Sequence, residues 1–397
     1  MTERPDRPDP ARDEDRRPGS GRRLRVALVA GSYANIKDGM TLTLNRLVAY
    51  LNGQGVRTLV FAPEARPAFA YQGRVIPVPS APIPLRQEYR LALGLPERPR
   101  RRLRGFDPDV IHLATPDLLG HEALRIGREL GAPIVGSYHT RFESYLEHYG
   151  LGFLAPEAAR CIRRFYDGCK EVYVPSESMA EALRASGATF DIRLWTRGID
   201  NSRFDPAKRS QAWRARKGFS PDEVVVSFVG RLVREKRLAT FAGALQRLQA
   251  RGIACRALVV GDGPDREKLQ RQLPQAVFAG FLEGEDLATA YASSDIFLFP
   301  SDSETFGAVT LEAMASGLPT LCADATGSRS LVVQGVTGEL HAADDCDGFA
   351  RAVAGLVADP DRRRRMGEAA RRRSLGFSWD EAMQLILGRY EALAAAA

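Results

Sequence analysis

No stretch of this chain approaches the roughly 18 to 20 consecutive apolar residues that a membrane-spanning helix requires. The first 23 residues, MTERPDRPDPARDEDRRPGSGRR, contain charge, proline and glycine but lack the apolar core of a secretory signal. They also lack the apolar surface needed to offset ordering entropy, so residues 1–23 are expected to form a disordered leader. Cysteine is scarce. The five present (Cys161, Cys169, Cys255, Cys322, Cys346) are odd in number, scattered and without zinc-ligand spacing. This argues against a disulfide framework and fits a reduced, cytoplasmic setting. The arginine clusters have no stacking aromatics among them, and no nucleic-acid-binding motif is present, which disfavours a nucleic-acid partner. No metal site stands out. Asp302-Ser303-Glu304 imitates an acidic triplet, and the two Asp-Pro-Asp triplets (107–109, 359–361) read as turns.

What is present fits a soluble globular protein of two ordinary domains: 397 residues, 44% hydrophobic and 26% charged. Three basic clusters contribute to the formal net charge of +7: the leader, 98–104 and 362–373. A solvated helix face explains 362–373. Attraction to an anionic membrane surface or substrate is the other reading of such clusters. Residues 24–30 (LRVALVA) form a short apolar run of buried-strand type. They are followed by a loop with Gly39 and by Leu44, Leu47, Val48 and Leu51 at helical spacing. Further strands are expected at 58–62, 75–78, 109–113, 133–137 and 171–175, and 82–104 reads as irregular. The polar stretch 204–220 is the natural junction. The pattern then restarts with strands at 224–229, 256–260, 277–280, 296–300 and 320–323, and it ends in a helix from 379 to 395. Strand–helix alternation predicts two α/β halves with parallel sheets.

The chemistry concentrates at strand ends. In 301–319 (SDSETFGAVTLEAMASGLP), Glu304 falls in a loop after a strand, where open α/β sheets bind ligands. Glu312 follows two helical turns later, so the two carboxylates can address different parts of an extended ligand; a helix-start acid plus a surface glutamate is the plain alternative. Gly307 opens that helix, and backbone N–H groups there favour an anion. In 230–236 (GRLVREK), Gly230 ends a strand. Arg231 offers a planar fork and Lys236 a mobile charge, a pair able to clamp a diphosphate or to make surface salt bridges. Gly261-Asp262-Gly263-Pro264 is a turn first. Gly39 permits close backbone approach, and His139 stands at a strand end, where a structural histidine is the commoner case.

These pieces occur in order. GRLVREK (230–236), VVGDGP (259–264) and FLFPSDSETFGAVTLEAMASGLP (297–319) resemble the C-terminal half of retaining glycosyltransferase family four. Gly39, SYHTRF (137–142) and RGIDNSRFDP (197–206) resemble its N-terminal half. The resemblance implies the GT-B architecture: two Rossmann-like α/β domains (24–206 and 207–375) facing across a cleft, with 376–397 as a helix returning to the first. It implies that Arg231 and Lys236 hold the diphosphate of a nucleotide sugar, GDP-mannose or a UDP-hexose. Glu312 would take the ribose hydroxyls, and Glu304 the hydroxyls of the transferred sugar beside Gly230, Phe306 and Gly307. Gly39 would approach the diphosphate, and His139 would lie near the reactive face of the sugar. No divalent metal or other cofactor is implied. Residues 138–154 (YHTRFESYLEHYGLGFL) are similar to members that glycosylate lipids, which implies a glycolipid or diacylglycerol-type acceptor and a peripheral enzyme at the inner membrane face. Transfer to a polysaccharide or small molecule, and a sugar-nucleotide epimerase or hydrolase on the same fold, remain alternatives. Two departures stand out: Ser328-Arg329-Ser330-Leu331 where the family usually carries a glutamate, and Arg237 where glycine is frequent.

Overall fold

The computed structural model describes residues 23–34, 39–63, 70–83, 86–139 and 152–397. The segment 138–154, which the resemblance ties to a lipid acceptor as an expectation, therefore lies mostly outside the described residues. The strands are β1 (Arg25–Val29), β2 (Arg57–Pro63), β3 (Arg74–Val78), β4 (Ser80–Ile83), β5 (Arg86–Ala92), β6 (Val110–Leu113), β7 (Ile134–Ser137), β8 (Glu171–Val174), β9 (Ile192–Leu194), β10 (Val225–Val229), β11 (Arg256–Val260), β12 (Val277–Gly280), β13 (Ile296–Phe299), β14 (Thr320–Ala323) and β15 (Gly338–His341). The chain divides into two compact units. One runs up to Val135 and takes in Leu387–Ala397; the other is Gly136–Ile386.

In the first unit β3, β2, β1 and β6 pair in that order, all parallel. The helix Gly39–Gly53 buries Leu44, Leu47, Val48 and Leu51, the apolar positions its spacing predicts. The stretch expected to be irregular contains an antiparallel hairpin, β4 with β5. Prolines and charged residues hide its alternation. Arg90 adds bonds from Nε to Ser80 Oγ at 2.7 Å and from Nη2 to Ser80 O at 3.0 Å. The basic cluster after it is a helix, Glu97–Phe106, that buries Leu103. Arg100 and Arg104 pair with Glu122 at 3.1 Å and Glu129 at 2.9 Å on the helix Leu118–Leu130. At the C-terminal end of the chain, Tyr390 brings its hydroxyl into hydrogen-bond contact with His112 Nδ1, and burial pushes that imidazole down to about 3.

The second unit contains a six-stranded parallel sheet, β12-β11-β10-β13-β14-β15. β10, β13 and β14 are buried along their whole length. Their continuous apolar runs follow from a parallel sheet covered on both faces. Phe228, Phe241, Phe297, Phe299 and Phe349 fill the core around them. β8 pairs with β9 in parallel in this same unit. The boundary between these two compact units falls inside β7. Within the second unit, Ser176 Oγ donates to Thr305 O at 2.8 Å, Thr305 Oγ1 to His139 O at 2.7 Å, and Ile199 N to Phe377 O at 3.0 Å.

The helix Pro360–Ser374 carries the third basic cluster, and it is more than a solvated face. Arg371 donates from Nη1 to Phe204 O and Ala315 O, each at 2.7 Å, and from Nη2 to Asp205 Oδ2 at 2.7 Å. It also bonds Asn201 Oδ1 and Asn201 O at 3.1 Å. One guanidinium thus fastens the 201–205 loop to the end of the helix Ala308–Ala315. No helix among the described residues is long and apolar enough to cross a membrane.

Candidate active site

The site is built at the carboxyl ends of β10, β11 and β13. After β13 the chain runs through Ser301–Phe306 and turns at Gly307, whose φ of 90° precedes the helix Ala308–Ala315. An L-residue in that left-handed conformation costs about 1–2 kcal/mol, so glycine is the residue that turns here without strain. The loop is pinned from beneath: the Glu304 carbonyl accepts from Gly327 N at 2.9 Å and from Thr326 Oγ1 at 2.8 Å. A Cβ on Gly327 would stand 2.8 Å from Glu304 Cβ, so this close approach requires glycine. The departure at 328–331 has structural work of its own. Ser328 is buried, Arg329 pairs with Asp324, and Ser330 Oγ lies 2.7 Å from Ser178 Oγ.

Beside this loop sits the turn after β10. Its glycine, Gly230, donates from N to Val260 O at 3.0 Å, and Leu232 N donates to Asp262 O at 2.9 Å. A Cβ at Gly261 would stand 1.9 Å from Gly230 O, so the two glycine turns interlock. The following single turn, Arg234–Lys236, delivers Lys236 to the loop. There Lys236 Nζ makes an ion pair with Glu304 Oε1 and bonds Ser303 Oγ at 3.2 Å. Both side chains of the pair are 18% exposed, so the contact is largely desolvated yet open to a ligand. Ser301 Oγ also reaches Glu304 Oε1, at 3.4 Å. Arg237 follows in the left-handed conformation (φ 53°) and bonds Asp302 Oδ2 from Nε at 3.1 Å and Nη2 at 2.5 Å. Arg231, on the Gly230 turn, is exposed.

Glu312 projects from the helix Ala308–Ala315, and its Oε2 accepts from Tyr291 OH at 2.9 Å. Burial pushes the carboxyl up to about 7, against the Tyr291 hydrogen bond and the Arg203 charge, which favour ionisation. Burial also pushes the Tyr291 hydroxyl well above its ordinary range. Phe306 is buried, with the Arg197 guanidinium 5.8 Å from its ring centroid and Phe377 edge-on at 6.2 Å. His139 is buried with its ring tilted on Trp195 at 5.2 Å, and its carbonyl holds Thr305 Oγ1.

The second unit therefore holds Arg231, Lys236, Glu304, Phe306, Gly307, Glu312 and His139, and it joins two of them directly and a third through a neighbour. Lys236 touches Glu304, and His139 is bonded to the residue after Glu304. Gly39 lies in the first unit, at the start of the helix Gly39–Gly53, where its carbonyl accepts from Thr43 Oγ1 at 2.7 Å. Sequence reasoning missed Arg197, Tyr291, Ser303 and the Thr326-Gly327 support. Arg197 opens the RGID segment and was within reach; Tyr291 looks like any core aromatic of a helix. Among the described residues no group of three or more His, Cys, Asp or Glu is placed to hold a metal.

Residues 209–373 match the family described as Glycosyl transferases group 1, and residues 37–203 match Glycosyltransferase Family 4. A GDP-mannose-dependent alpha-mannosyltransferase of Mycolicibacterium smegmatis is 41% identical over 386 residues, covering 93% of this chain and 98% of that protein. The sulfoquinovosyl transferase SQD2 of Arabidopsis thaliana is 35% identical over 368 residues, covering 90% of this chain and 71% of that protein. In structure, sucrose-phosphate synthase from Thermosynechococcus elongatus is similar with a TM-score of 0.78, covering 94% of this chain and 100% of that chain; at 21% identity the likeness is one of fold. Fold, family matches and relatives together define a retaining glycosyltransferase of the GT-B class. The chain belongs to glycosyltransferase family four.

Proposed function

We propose that this enzyme transfers a mannosyl group, with retention of configuration, from GDP-mannose to a hydroxyl of a lipid acceptor. The observation that carries the donor is the 41% identity, over 93% of the chain, to a GDP-mannose-dependent alpha-mannosyltransferase. The similarity to a sulfoquinovosyl transferase and to an alpha-monoglucosyldiacylglycerol synthase of Streptococcus pneumoniae (24% identical) supports a lipid acceptor.

In this reading Arg231 and Lys236 hold the diphosphate. As the glycosidic bond lengthens, positive charge grows on the sugar and negative charge on the leaving phosphate. Two cations fixed at that phosphate stabilise what develops, which is how preorganised charge lowers a barrier. The leaving phosphate takes the acceptor proton as the hydroxyl attacks from the same face. Glu304 orients the sugar hydroxyls, and its ion pair sets the Lys236 ammonium in place before the donor arrives. Glu312 receives the ribose hydroxyls, the backbone at Gly230, Phe306 and Gly307 lines the anion, and His139 stands by the sugar. The role of Gly39 rests on the family resemblance alone. The reaction needs no divalent metal, so a chelator should leave the rate unchanged.

The exposed arginines of the helix Glu97–Phe106 (Arg98 and Arg101) and the 76% exposed Phe153 support peripheral attachment to an anionic membrane at its inner face. A thermal-shift panel of GDP, UDP and ADP sugars tests the donor, since a ligand of the native state raises its stability. GDP-mannose should raise the midpoint. A shift from a UDP or ADP sugar with none from GDP-mannose overturns that assignment. Sedimentation with anionic vesicles at low salt tests attachment; protein left in the supernatant rules it out.

A further inference from the structure

Arg237 stands where family members frequently carry glycine, and it does so in the left-handed conformation that glycine adopts without strain. The donor reading gives it no task. It does line a cavity of about 550 Å³ between the turn Arg234–Lys236 and the helices Leu238–Ala250 and Arg266–Gln272. The polar lining is Arg234, Arg237, Thr240, Asp265, Lys268 and Gln272. Asp265, Lys268 and Gln272 recur at three- and four-residue spacing, so the Arg266–Gln272 segment turns one face to the cavity. The lining sets three cations against a single carboxylate. Among the described residues Arg234 and Lys268 make no salt bridge, whereas Arg237 already holds Asp302. The volume falls within the roughly 300–1,000 Å³ of small-molecule sites. Of the apolar lining residues, Leu238 and Leu269 are buried and only the methyl group of Ala239 is exposed, which is little apolar surface for a lipid tail.

We propose that this cavity binds a small soluble phosphorylated compound through its phosphate or pyrophosphate group, at a place separate from the donor cations Arg231 and Lys236. Arg234 and Lys268 supply the charge, and Arg237 and Thr240 supply directed donors. Arg237 also links the cavity to the donor loop, because its partner Asp302 lies two residues before Glu304 and its neighbour is Lys236.

The test is calorimetric titration with inorganic pyrophosphate. It uses the full-length protein in an Arg231→Ala/Lys236→Ala background, which removes the donor cations. Pyrophosphate should still bind there. Adding Arg234→Gln/Lys268→Gln should weaken it tenfold or more, while Arg234→Lys/Lys268→Arg should retain it; equal thermal midpoints show that all variants fold. Equal affinity after the glutamine pair, binding confined to the protein with its donor cations intact, or no binding in any form each overturns the proposal. Nucleotide titrations of the same background test the donor reading separately: undiminished GDP affinity would defeat that reading and leave the pyrophosphate result standing.

Discussion

Glu312 titrates where a glutamate ordinarily does not, and the consequence for stability has a definite sign. Its carboxyl moves from the ordinary 4.5 up to about 7, mainly through burial. A group whose acid form is favoured by folding contributes stability fully below its unfolded pKa and loses it as pH rises through its folded pKa. The contribution is therefore present near pH 4.5 and gone above about pH 7. The shift spans about 2.5 units, and at 1.36 kcal/mol per unit the ceiling is about 3 kcal/mol. Glu312 keeps some contact with solvent, which lowers that ceiling. Glu312→Gln keeps an acceptor for Tyr291 and removes the titration. Urea unfolding of both proteins between about pH 5 and pH 8.5 should show the glutamine variant gaining on the native protein by roughly 1–3 kcal/mol as pH rises. Tyr291→Phe, which removes the hydrogen bond favouring ionisation, should carry the native loss of stability on to higher pH. A difference between native protein and glutamine variant that stays constant across this range refutes the reasoning.

Arg371→Ala removes five hydrogen bonds that join the 201–205 loop to Ala315 and leaves their acceptors to water. It should cost roughly 2–4 kcal/mol in unfolding experiments, with little recovered by Arg371→Lys, whose ammonium cannot fork. A loss below about 0.5 kcal/mol would show that the clamp is incidental. Gly261→Ala places a methyl group 1.9 Å from Gly230 O, so the interlocked turns must part. Turnover should fall with the Gly230 turn displaced, and a lower melting temperature should accompany it; native values for both would contradict the interlock.

Strand–helix alternation made the two α/β halves legible, because buried parallel strands read as continuous apolar runs such as VVSFV and IFLF. The helix Trp379–Ala395 was visible for the same reason of spacing. The hairpin β4–β5 was not, since proline and arginine break its alternation. The meeting of Ser176 and His139 with Thr305 was also hidden, because these residues come together across more than a hundred positions. Such a hydrogen bond has no local signature. At the site, motif order placed Lys236 and Glu304, but their contact lies between segments 68 residues apart and had to be seen. Glycines carried more information than the charges around them: Gly261, Gly307 and Gly327 each stand where a side chain would collide or strain the backbone.

The central claim is that the cations on the turn after β10, not a carboxylate pair, drive departure of the nucleoside diphosphate. Steady-state turnover of Lys236→Ala, with the donor selected by thermal shift and folding checked by circular dichroism, addresses it most directly. The account predicts a fall in kcat on the order of 100- to 1,000-fold with the native spectrum preserved. A folded Lys236→Ala enzyme turning over within about threefold of the native rate, against that expected loss, would contradict it.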